Sequence, residues 1–202
     1  MVLLVSCATA DKKVRLAQSL DIRVVHPDAA SLKVKKEIIE LATKYDLESF
    51  VYTKTIMINS KAKTRSHPVL TLDTRFANDK EKLLSQLIHE ELHWWLELNH
   101  SQLEVAVPDM KKAFPKAPPI KGAKDPNSTY KHLIICWMEY MAISKYMGED
   151  TAKTNLRYFA EKEKRYPWIY PEVIKDSRKI ELIVRKHDLI PAEMYPKGLL
   201  LL

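Results

Sequence analysis

Between residues 31 and 45, apolar side chains recur at Leu32, Val34, Ile38, Ile39, Leu41 and Ala42. That spacing predicts an amphipathic helix. The flanking stretches read as strands. Asp21 to Pro27 is rich in β-branched residues and ends at proline, while Phe50 to Ile58 is aromatic and β-branched. Val69 to Asp73 is a third candidate strand. Asn78-Asp79-Lys80-Glu81 resembles a capping box, with Asn78 as the cap and Glu81 three residues on. It predicts a helix running to about Asn99. Residues 107–127 hold Pro108, Pro115, Pro118, Pro119 and Pro126. They read as an irregular connector, with one helical turn near Met110–Phe114 at most. A second long apolar helix is predicted over Ser128–Met147, stopped at Gly148. Further helices are expected over roughly 150–164 and 171–187, split by the turn Tyr166-Pro167-Trp168. The order is mixed sheet and helix first, then all helix, an α+β arrangement.

A length of 202 residues favours a single domain. Its sheet-containing half would cover about 10–100 and its helical half about 101–202. Hydrophobic residues make up 46% and charged residues 29%, as in ordinary globular proteins. With only three glycines, a glycine-rich phosphate loop or dinucleotide fingerprint is excluded. No apolar run reaches the roughly 18–20 residues of a membrane span. Cys7 and Cys136 form neither a disulfide framework nor a CxxC pair, which points to a reducing, cytoplasmic compartment. Leu4-Val5-Ser6-Cys7 nevertheless resembles a bacterial lipoprotein box, so a lipoprotein or secreted protein with a truncated signal is the alternative. The net charge of +7 is spread along the chain and reads as a solvated basic surface, with no nucleic-acid partner expected. The apolar tail Leu199–Leu202 reads as a docking segment, and oligomeric state is left open.

The chemistry concentrates in His89-Glu90-Glu91-Leu92-His93, an HExxH motif. Residues i and i+4 share a helix face, so two imidazoles there can bind one tetrahedral Zn²⁺. Glu90 lies about 100° around the helix, where a general base can reach a water on the metal. Gln86, His89, Glu90, His93, Leu96, Glu97 and His100 project to one arc. Leu83, Leu84, Leu87, Ile88, Leu92, Trp94, Trp95 and Leu98 project to the other. Glu91 falls inside the apolar arc. It either needs a buried partner, a Lys or Arg, or lies at the rim.

A catalytic zinc needs a third protein ligand and an open position. The metzincin spacing fails, because Leu96 and Asn99 stand where Gly and His belong, and His100 is one residue out of register. On the second long helix, His132 and Glu139 are two turns apart on one face of an otherwise apolar element. A carboxylate there is costly unless paired or metal-bound. Glu139 is therefore the expected third ligand, and His132 a candidate catalytic residue that stabilises the oxyanion. Cys136 is a possible soft ligand or an inert buried thiol. Glu97, Asp73 or Glu104 would orient a ligand imidazole from behind.

His89-Glu90-Glu91-Leu92-His93 together with the segment Tyr130–Ile143 resembles the gluzincin zinc metallopeptidases, and in its small size the minigluzincin-like proteins. The resemblance implies zinc on His89, His93 and Glu139, with Glu90 as the catalytic base. It also implies a zincin-like fold. A small twisted sheet carries a backing helix, and the active-site helix lies below an edge strand that pairs with an extended peptide. Phe50–Ile58 or Val69–Asp73 would be that strand. The chain departs from the family pattern at Ile143, where many members carry an Asp. The function implied is a zinc-dependent peptidase acting on peptide or protein substrates. The alternatives are a non-catalytic zincin-like binding module, or a basic HExxH protease acting on DNA-associated proteins.

Overall fold

The computed structural model describes residues 15–121, 123–191 and 194. The apolar segments at Met1–Cys7 and Leu199–Leu202 lie outside the described residues. The chain is α+β, with a small sheet near the N-terminus and a helical second half. It divides into two compact units, Met1–Trp94 and Trp95–Leu202, and the division falls inside one continuous helix.

In the first unit, β1 (Asp21–Val24), β2 (Thr55–Ile58) and β3 (Leu70–Leu72) form a parallel sheet in the order β1-β2-β3. The registers begin with Asp21 opposite Thr55 and Ile56 opposite Leu70. Helix α1 (Ala29–Lys44) packs on β1 and β2 as the expected backing helix. Asp28 caps it, accepting from the Ser31 N–H at 2.8 Å. Val34, Ile38, Leu41 and Ala42 form its buried stripe, while Leu32 and Ile39 face solvent. Each such buried aliphatic side chain contributes roughly 1.5–3 kcal/mol.

Two expectations for this unit change. Phe50–Ile58 is strand only from Thr55, and Glu48–Phe50 is a turn of 3-10 helix. The reason is visible in the hydrogen bonds. The N–H groups of Tyr52 and Thr53 donate to a carboxylate, Glu91 Oε2, rather than to a neighbouring strand. The helix α2 (Lys80–Leu98) is capped by Asp79, not Asn78. Asp79 Oδ1 accepts from the Lys82 N–H at 3.0 Å and its carbonyl accepts from Leu83. Asn78 instead accepts from the Lys33 ammonium.

In the second unit, α4 (Ser128–Met147) is the central helix, and α3 (His100–Ala113), α5 (Glu149–Glu161), α6 (Ile169–Lys175) and α7 (Ser177–Lys186) all pack on it. Residues 133–140 of α4 are buried without a break, as an element apolar on every side must be. The expected irregular connector over 107–127 is corrected by α3, which contains Pro108. An interior proline costs about 3 kcal/mol. Burial of Leu103, Ala106, Val107 and Met110 offsets that cost, and the turn before Pro108 carries the exposed Glu104 and Val105. The expected helix 171–187 is two helices parted at Asp176.

Gly148 ends α4 as expected. Its N–H donates to Ser144 O at 3.0 Å, and its φ of +90° with ψ of 155° is a conformation open essentially to glycine alone. A Cβ there would meet nothing within 4 Å, so the constraint is backbone conformation rather than space. We expect Gly148→Ala to lower stability by about 1–3 kcal/mol in urea unfolding. Unchanged stability would show that the turn relaxes without strain.

Candidate metal centre

The motif helix is far more enclosed than its amphipathic pattern suggests. Residues 83–92 are all buried, including Ser85, Gln86, His89, Glu90 and Glu91. Each polar group among them therefore needs a partner or a purpose. Gln86 Nε2 donates to Thr64 Oγ1 at 2.8 Å, while Gln86 Oε1 is buried without a hydrogen bond. Thr64 Oγ1 also accepts from the Asp73 N–H.

Glu91 is the motif residue that the helical projection places among apolar neighbours. It is fully buried, and its partners are the two backbone amides at 52 and 53, at 2.8 and 3.0 Å. The expected Lys or Arg partner is replaced by main chain from a segment almost forty residues earlier. Its other oxygen, Oε1, has no hydrogen-bond partner. Burial pushes this carboxyl up to about 8, against the pull of the two N–H donors. Both amides donate to Oε2, so a proton on this carboxyl would sit on Oε1.

His89 is buried and His93 half-buried, and their rings meet edge-on with centroids 5.3 Å apart. A tetrahedral zinc with bonds of about 2.0–2.1 Å spaces its ligands roughly 3.3 Å apart, a separation that imidazoles one turn apart on a helix can reach. His132 Nδ1 lies 2.7 Å from Ser128 O, and a carbonyl only accepts. Nδ1 therefore carries the proton, and Nε2 keeps the lone pair that a metal requires.

Glu139 and Cys136 lie three residues apart on α4, and both are buried. Burial, aided by the charge of Glu139, pushes the Cys136 thiol well above its usual range, which opposes the thiolate that a metal needs. Glu139 Oε2 accepts from the Tyr170 hydroxyl at 3.2 Å. His100 is exposed and faces Glu104 across 4.0 Å at the surface. Asp73 is engaged by the Arg75 guanidinium at 2.7–2.8 Å. Those positions therefore make poor supports for a ligand imidazole.

The edge-strand expectation also changes. β2 is the middle strand, so Phe50–Ile58 offers no free edge. The outer side of β3 is already paired, because Thr71 exchanges backbone hydrogen bonds with Arg65 at 2.8 and 3.0 Å. The same covering segment is fastened to α2, where Trp94 Nε1 donates to Ser66 O and the Trp94 ring stacks on His67 at 4.2 Å. Backbone partners of this kind leave no periodic trace in sequence. Tyr166 and Tyr170, which meet His132 and Glu139, were equally invisible as site residues.

No family model, curated protein or solved structure matches this chain. Among the described residues, no helix is long and apolar enough to cross a membrane.

The protonated state of Glu91 has a measurable consequence. An unfolded glutamate titrates near 4.5, so between that pH and about 8 the folded chain holds a proton that the unfolded chain has released. The Glu91 contribution is thus fully present below pH 4.5 and is lost as pH rises through 8. We expect metal-free wild type to lose stability relative to Glu91→Gln across this window, measured by urea unfolding at a series of pH values. Parallel curves for the two proteins would mean that Glu91 is ionised in the fold.

Proposed function

We propose that this chain is a zinc-dependent peptidase of the HExxH type, with His89 and His93 as metal ligands and Glu90 as general base. The observation that carries the reading is the pair of motif imidazoles on one enclosed helix, their rings edge-on with centroids 5.3 Å apart, with Glu90 buried in the same turn. An HExxH helix alone supplies only two of the three ligands that a catalytic zinc requires. The third ligand on this reading is Glu139 or His132, the two candidates that the sequence offers on α4.

When bound, zinc lowers the pKa of a water towards about 7 and polarises a substrate carbonyl. On this reading Glu90, 7% exposed, accepts a proton from the attacking water. It then returns that proton to the amine nitrogen as the C–N bond breaks, so its own protonation state is restored at the end of the cycle. Its shielded position favours proton transfer over exchange with bulk solvent. A purely structural metal site has no use for a carboxylate at this place in the motif, which favours a hydrolase over a binding module. The substrate on this reading is a peptide or protein.

Two variants separate metal binding from chemistry. Glu90→Gln should retain about one zinc per chain by elemental analysis while losing roughly 10²–10⁴-fold in peptide hydrolysis. His93→Ala should lose the metal itself. A wild-type protein that takes up no zinc after reconstitution would overturn the proposal. So would full activity in Glu90→Gln.

A further inference from the structure

Between β2 and β3 the chain crosses the motif helix. Thr64 Oγ1 accepts from Gln86 Nε2 at 2.8 Å, one turn before His89. Ser66 O accepts from Trp94 Nε1 at 3.1 Å, and the His67 ring stacks on Trp94 with centroids 4.2 Å apart. The two attachments therefore bracket the motif. Gln86, Glu90 and Trp94 are spaced by four, so they form one ridge of α2. From Gln86 to Trp94 that ridge is about 12 Å long. The segment 64–67 reaches at most about 10 Å. With so little slack it runs along the ridge and across the position of Glu90. All of these residues belong to the first unit.

The segment and the helix beneath it differ in how firmly they are held. No residue from 59 to 69 is buried, whereas every residue from 83 to 92 is. Arg65 and His67 are exposed, while Glu90 is buried. Among the contacts that fasten the segment are two neutral side-chain hydrogen bonds, one ring stack, and the two backbone bonds between Arg65 and Thr71. Each contributes modestly. Regions with few buried apolar contacts open locally, at a fraction of the free energy of global unfolding. Such an opening uncovers the ridge while α2 stays packed.

We propose that residues 64–67 form a cover over the Glu90 ridge of α2, and that a peptide substrate reaches Glu90 only when this cover lifts. The inference rests on the HExxH peptidase reading and adds to it a control of access. Thr64 and His67 fasten the two ends of the cover and have no part in the chemistry. Where only the open form binds substrate, kcat/KM scales with the open fraction. Weakening a fastener raises that fraction and leaves the chemistry at Glu90 unchanged.

The test is the double variant Thr64→Val/His67→Ala, which removes one hydrogen bond and the ring stack without altering α2. Carbodiimide labelling of Glu90 in the metal-free protein, read by peptide mass mapping, reports access without relying on activity. The zinc-loaded protein is assayed in parallel on a fluorogenic peptide mixture. In the variant, Glu90 labelling and kcat/KM should both rise about tenfold, the effect of losing contacts of this size. Glu91 is fully buried in the same turn but off the ridge, and it should stay unlabelled. That separates lifting of the cover from unfolding of the helix. Where the double variant fails to fold, Thr64→Val alone should give a smaller rise in both. Glu90 labelling equal to wild type would overturn the inference while leaving the peptidase reading intact. So would labelling of Glu91 as fast as Glu90. Faster Glu90 labelling, with no hydrolysis by either zinc-loaded protein, would uphold the cover and overturn the peptidase reading.

Discussion

Five polar side chains lie within ten consecutive buried residues of α2, and the site is built around satisfying them. An unpartnered buried polar group costs on the order of 1–3 kcal/mol, and an ionised one more. Gln86 is tied to Thr64, and Glu91 takes two backbone amides from residues 52 and 53. These contacts set more than their own energy. The pull of Glu91 on the 52–53 backbone delays the start of β2 until Thr55. The rotation of α2 that buries Glu91 fixes where His89 and His93 point. A metal centre on this helix would inherit its precision from that enclosure rather than from the ligands alone.

The parts of the fold governed by local periodicity were legible in the amino-acid sequence. The α1 helix, the long apolar α4 and its stop at Gly148 all follow from spacing and from one glycine. So do the strands at Asp21 and Leu70, and the HExxH face. What escaped was set by tertiary context. Pro108 marks a helix breaker locally, yet the burial of Leu103, Ala106, Val107 and Met110 carries α3 through it. Asn78 and Asp79 are equally good caps on paper, and only the reach of Lys33 to Asn78 separates them. Glu91 was visible as an anomaly, but its partners were main-chain groups, which no side-chain pattern encodes.

The candidate site shows the same division. His89, Glu90 and His93 were readable because helix geometry alone aligns them. His132 and Glu139 were both readable as polar residues on an apolar helix, but their roles depend on neighbours contributed by a later turn. Identical spacing on α4 gives the two residues different surroundings. One is an imidazole fixed on two sides. The other is a carboxylate sharing a buried pocket with a thiol and a phenol, both of which burial holds in their neutral forms.

The covered flank of β3 bears on which peptides could attach to the sheet. Pairing with an open strand reads main chain, which every peptide has, and so admits many sequences. At Thr71 that mode is already taken by Arg65, held down through Ser66, His67 and Trp94. A peptide approaching that flank would find no open strand to pair with at Thr71 and could be held there only through its side chains.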